Sequence, residues 1–136
     1  MTDDDVIEFD TEPTHVDGAL MISFGPVIPG REALAVELFT ALSRYLGRLL
    51  ADEDIAGFRP YFFADGPMND VIGYFLVEGH REDLDRLRRQ ESFVELMLRI
   101  GAATQTVATH TLVAGTSAGR LVNLYAQIRR ELGFIT

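Results

Sequence analysis

The order in which two kinds of apolar spacing follow one another limits the fold of this chain more than any single residue. ALMISFG, Ala19 to Gly25, is a short apolar run of strand length. The two prolines and the glycine of PVIPG then mark a loop. REALAVELFTALSRYLGRLLADE follows as a long helix, with Leu34, Leu38, Leu42, Tyr45 and Leu49 at helical spacing. Its early Glu32 and Glu37 suit the positive end of the helix dipole. Gly47 inside it points to a close contact, because glycine in a helix otherwise costs about 1 kcal/mol against alanine. IAGFRPYFFADG reads as a strand, and Pro60 makes it an edge strand or a bulged one. DGPMND is a hairpin loop, and VIGYFLVEG, the most continuous apolar run, is a central strand. HREDLDRLRRQESFVELMLRIGAAT is helical with a break at Gln90. Ser92 and Glu95 there form the Ser-x-x-Glu signature of a fresh helix start, Phe93, Met97 and Ile100 supply an apolar stripe, and Gly101 is a stop. QTVATHTLVAG is a fourth strand. Ser117 to Leu132 is a last helix with Leu121, Leu124, Tyr125, Ile128 and Leu132 on one face and Gly133 as its stop.

The order is β-α-β-β-α-β plus an extra helix. That is an α+β class, with the split βαβ, ferredoxin-like pattern in which two helices cover one sheet face. Alternation assigns Leu20, Ile22, Phe24, Phe58, Phe62, Ala64, Val71, Phe75 and Val77 to the covered face. The opposite face receives Met21, Ser23, Arg59, Tyr61, Phe63, Ile72, Tyr74, Leu76, Glu78, Ala108, His110 and Leu112. It is too apolar to lie bare in water. Its expected cover is a second copy of the chain related by a two-fold axis, with the last helix as the rival.

Length and charge set the remaining bounds. A chain of 136 residues suits one domain, read as residues 18–136 behind an acidic flexible tail, 1–17. Asp3, Asp4, Asp5, Glu8, Asp10, Glu12 and Asp17 lie in that tail with no basic residue, so seven of the formal −9 charges sit there. The rest is nearly neutral and shows no concentrated basic patch, which argues against nucleic acid. The tail reads as a solvated end or, alternatively, a partner-docking segment. No apolar run has the length of a membrane span, and the start is acidic where a secretory signal is basic and then apolar, so no membrane is expected and the location read is cytoplasmic. There is no cysteine, which removes disulfides, thiol nucleophiles and cysteine metal sites.

The strand ALMISFG with its long helix, the strand GYFLVEGH and the helix LDRLRRQESFVEL with Phe93 together resemble the dimeric α/β-barrel superfamily, in particular the antibiotic-biosynthesis-monooxygenase-like proteins. The resemblance covers about residues 19–115 and is one of pattern. It implies two four-stranded sheets facing each other in a homodimer, with pockets at their inner faces. Proteins of this kind include cofactor-free monooxygenases of aromatic polyketides, haem-degrading enzymes and isomerases, so the fold does not choose an activity. The haem-degrading branch uses an Asn, a Trp and a His. This chain has no Trp, and its Asn69 and Asn123 fall in a loop and the extra helix.

Candidate chemistry rests on few residues. His110 lies mid-strand on the open face, where Tyr61, Tyr74 or Glu78 could partner it; it is read as a base or as a structural histidine at a dimer seam. Arg59, the other catalytic candidate, is an anion anchor or a salt-bridge partner across the dimer. Tyr61, Phe63 and Tyr74 form an aromatic wall for a flat ligand or simple interface packing, and Ser23 shares their face. His80, after Gly79, is a ligand contact or an ordinary turn residue. No metal-ligand spacing, phosphate loop or Gly-x-Ser-x-Gly elbow occurs, so neither metal nor cofactor is assigned. AGTSAG, residues 114–119, is an anion-binding turn or a connector with Ser117 as helix cap. The leading expectation is a homodimer binding a small apolar or aromatic molecule on the sheet face. Alternatives are a cofactor-free monooxygenase or isomerase and a non-catalytic assembly protein.

Overall fold

In the computed structural model the described residues are 16–133. The elements run β1 (Gly18–Phe24), α1 (Glu32–Ala51), β2 (Gly57–Phe62), β3 (Gly73–Gly79), α2 (Arg81–Arg89), α3 (Glu91–Ala103), β4 (Val107–Val113) and α4 (Gly115–Glu131). The strands form one sheet in the order β2-β3-β1-β4, and all neighbours are antiparallel. β3 is therefore central, as its unbroken apolar run requires, and Pro60 sits on an edge strand, where a missing backbone donor is tolerated. No described helix is long and apolar enough to cross a membrane.

The core lies between the sheet and helices α1 to α3. Leu20, Ile22, Phe75 and Val77 from the central strands meet Leu38, Leu42 and Leu46 from α1, Leu84 and Leu87 from α2, and Phe93 and Ile100 from α3. Removing these side chains from water is the main term that holds the layers together. The buried line of α1 is Ala35, Leu38, Leu42 and Leu46. The expected line shares Leu38 and Leu42 with it, and Tyr45 and Leu49 pack half-buried against the core; only Leu34 falls outside, exposed, so the buried line is turned by roughly 45°, about half a residue step. Spacing alone allows both lines, because leucines occur on each.

Several expected helix ends move. Gln90 does break the helix: its extended backbone closes α2 and opens α3. The Ser92–Glu95 box does not form. Ser92 already lies inside the first turn, and its hydroxyl meets that of Tyr45 at 3.1 Å, while Glu95 pairs with Arg99 at 2.7 Å. Gly101 does not end α3. The helix continues to Ala103, and buried Thr104 donates its hydroxyl toward the carbonyls of Ile100 and Thr106. Gly101 instead lets β4 approach, since a Cβ there would stand 3.2 Å from Val107 Cγ1. Likewise α4 begins at Gly115, so Ser117 is not its cap.

Gly47 has no close neighbour: a Cβ at that position would meet nothing within 4 Å. Its cost is then purely conformational. Gly47→Ala should stabilise the domain by about 1 kcal/mol, seen as a raised thermal midpoint; an unchanged or lower midpoint would place a contact there after all.

The last helix does not lie across its own sheet. Leu121, Leu124, Tyr125, Ile128 and Leu132 are all exposed, so α4 covers neither the open sheet face nor the helical layer.

Candidate functional site

The strand registers arrange the uncovered face in three rows. The middle row reads Arg59, Leu76, Met21, His110 from the β2 edge to the β4 edge. The next row reads Tyr61, Tyr74, Ser23, Ala108, and the third Gly57, Glu78, Ala19, Leu112. Tyr61 and Tyr74 stack with ring centroids 5.3 Å apart, and Phe63 stands 6.3 Å from Tyr74. Large rings thus crowd the β2–β3 half. Beside them Ser23 and Ala108 leave a shallow floor, where the Ser23 hydroxyl donates to Ala108 O at 3.5 Å. Tyr61 is 40% exposed with no described element over it.

Six of the seven candidates, Ser23, Arg59, Tyr61, Phe63, Tyr74 and His110, share this face. They do not form one catalytic cluster within a chain. Arg59 and His110 occupy opposite edges, three strand spacings or about 14 Å apart. His110 is exposed, and its cross-strand neighbour is Met21. The partners expected for it, Tyr61, Tyr74 and Glu78, lie beyond β1, on β2 and β3. The intervening strand is the physical reason that those hydrogen bonds do not form.

His80 stands apart from the other six. It precedes α2 with an extended backbone and makes no side-chain cap. The cap comes from Asp17, whose Oδ1 accepts the Arg81 N–H at 2.9 Å and lies 3.8 Å from His80 Nδ1. The Asp17 carbonyl also accepts the Ala114 N–H at 3.1 Å. Asp17 is therefore part of the folded body at the edge of the expected tail, whose residues 1–15 lie outside the described ones, with His15 among them. His80 lines a cleft of about 420 Å³ with Leu50, Glu53, Asp54 and Asp83, between the end of α1 and the start of α2. Among the described residues no three His, Asp or Glu side chains are grouped to hold a metal ion.

A larger concavity was not anticipated from the sequence. A groove of about 530 Å³ runs between α3 and the β4 edge, lined by Phe93, Val94, Met97, Leu98 and Val107. Arg88 borders it and donates to Thr111 Oγ1 at 2.6 Å, tying α2 to β4. The signal was present in FVELMLRI, whose apolar residues are too many for one helix face: Val94 and Leu98 are 42% and 71% exposed.

No family model matches the chain, and no curated protein matches it either. Solved structures do. A Mycobacterium tuberculosis protein is 21% identical, with a TM-score of 0.53 over 71% of this chain and 93% of its own. A cofactor-independent oxygenase from Streptomyces nogalater is 13% identical, with a TM-score of 0.54 over 72% of this chain and 93% of its own. A dimeric ferredoxin-like protein of unknown function from Thermobifida fusca is 10% identical, with a TM-score of 0.54 over 77% of this chain and 97% of its own. At these identities the likeness establishes the architecture: this chain has the ferredoxin-like α+β fold of the dimeric and antibiotic-biosynthesis-monooxygenase-like proteins.

Proposed function

We propose that this chain acts as a cytoplasmic homodimer that binds a small, flat, apolar or aromatic molecule on the sheet face opposite its helices. One observation carries the reading: an uncovered face bearing a stacked Tyr61–Tyr74 pair, Phe63, Leu76 and Met21, with a few polar groups among them. Such faces are rare on monomers and mark interfaces or ligand grooves. Structural neighbours described as dimeric support the second copy. The test is native mass spectrometry of freshly purified protein, with its visible absorbance. A dimer carrying an extra small mass is the expected result, and Tyr61→Ala with Phe63→Ala should weaken that molecule's affinity at least about tenfold. Unchanged affinity would reject this face as the binding site, and a monomer would reject the homodimer.

A second reading is cofactor-free oxygenation or isomerisation of an aromatic substrate, with His110 taking a proton. Its support is the exposed imidazole on the same face and the cofactor-independent oxygenase among the structural neighbours. His110→Ala would then abolish turnover and leave the dimer intact. A weakened dimer with no turnover in either protein would instead favour a purely structural seam.

A further inference from the structure

Resting on the homodimer reading, we infer that the binding site is shared between two copies: Arg59 of one chain and the partner's His110 together hold the acidic oxygen of a flat aromatic anion. The argument starts from the rows. In one row the large Tyr61 and Tyr74 sit on β2 and β3, and the small Ser23 and Ala108 on β1 and β4. In another, Glu78 on β3 is matched by Ala19 on β1, and Leu112 on β4 by Gly57 on β2. Both of these rows are bulky where their mirror positions are small, whereas the middle row is large throughout.

Two copies of this face meet about a two-fold axis lying in the plane between them. If the axis runs along the strands, between β1 and β3, each row meets itself reversed. Tyr61 then lies over the partner's Ala108, Tyr74 over the partner's Ser23, Glu78 over the partner's Ala19 and Leu112 over the partner's Gly57. Ridges enter hollows, and the apolar face is covered by a surface of matching shape. If the axis runs across the strands, β2 faces β2: on the tyrosine row the rings collide, and on the middle row the Arg59 guanidiniums of the two copies meet, like charge on like. Size and charge together select the first arrangement.

That arrangement has a chemical consequence in the middle row. Leu76 meets the partner's Met21 near the axis, and Arg59 meets the partner's His110 at each of two symmetric seams. Packed sheets stand about 10 Å apart with their side chains filling the gap, but their twist parts them toward the edges, so at an edge seam the tips of these two side chains can converge on one small anion. The guanidinium offers a planar fork of donors and the imidazole one more, so the polar end of the seam suits a carboxylate or phenolate. Tyr61 and Phe63, the neighbours of Arg59 along the chain's own face, supply the flat wall. Neither seam is complete in a single chain, where the two groups are about 14 Å apart.

The absence of cysteine makes the test clean. Arg59→Cys and His110→Cys are prepared as separate proteins, both at exposed positions, mixed to exchange subunits, and treated with a short bis-maleimide. The expected result is a covalent dimer in the mixture and none in either protein alone. Linking of one variant to itself, or no link in the mixture, overturns the proposal. A dimer that still carries its small molecule without the mixed link sinks the shared seam alone, whereas a monomer sinks the homodimer as well. The ligand class is tested with 2-naphthoate. Arg59→Ala and His110→Ala should each weaken binding at least about tenfold, and an equal mixture should regain about a quarter of the sites, since half the dimers are mixed and each has one intact seam. No binding to the unaltered dimer, or no recovery on mixing, overturns it.

Discussion

Phe24→Ala should lower the unfolding free energy by about 3–5 kcal/mol, the range for emptying a closed aromatic site. Phe24 is fully buried, and its ring lies 4.6 Å from that of Phe39, 5.7 Å from Phe62 and 6.1 Å from Phe75. It joins the end of β1 to α1, β2 and β3. Truncation forfeits the transfer of the ring out of water and leaves a cavity whose walls belong to four elements, so the site cannot collapse easily. Domains of this size hold only about 5–15 kcal/mol in total, so the variant should be close to unfolding at body temperature. Urea unfolding monitored by circular dichroism measures the change, and Phe24→Leu should restore most of it. A loss below about 1 kcal/mol would mean that the ring is not in a closed core.

Gly73→Ala should cost about 3 kcal/mol, the upper end for overpacking, because the obstacle is backbone. An added Cβ would lie 2.5 Å from Tyr61 O and 2.8 Å from Phe62 Cδ1. The Phe62 ring could swing, but the Tyr61 carbonyl can retreat only by parting β2 from β3. Since Tyr61 stacks on Tyr74, the same change should disturb the open face, and ligand affinity should fall with stability. Hydrogen exchange of the β2 amides locates the damage. Gly57→Ala is the control, because a Cβ there meets nothing within 4 Å; an equal loss at both positions would refute the steric explanation.

The sheet faces were legible in the sequence because a strand reports its sides directly. Tyr61 and Phe63 alternate with Phe62, and Tyr74 and Leu76 with Phe75 and Val77, and one glance at parity separates them. Strand order followed from connectivity and from Pro60. The helix phases were harder. In α1 leucine occupies both Leu34 and Leu38, and only the neighbouring layer decides which meets the sheet. Caps were less legible still: Ser92 and Ser117 carry the right chemistry, but Tyr45 claims Ser92, and α4 starts before Ser117. The cap that does exist, Asp17 on Arg81, spans 64 residues of sequence, so no local pattern could announce it. The same limit hid the separation of Arg59 from His110, which share a face by parity and are kept apart by the strands between them.

Asp17 also brings two distant points of the chain to one place. Its carbonyl holds the Ala114 N–H, so the residue just before β1 and the residue just after β4 are hydrogen-bonded neighbours. The β1–β4 body is thus almost a closed loop of polypeptide, and a linker of a few residues between Ala114 and Asp17 would complete the ring without stretching it. New ends could then be opened in the exposed turn at 65–70, giving a circular permutant with the same sheet and the same open face.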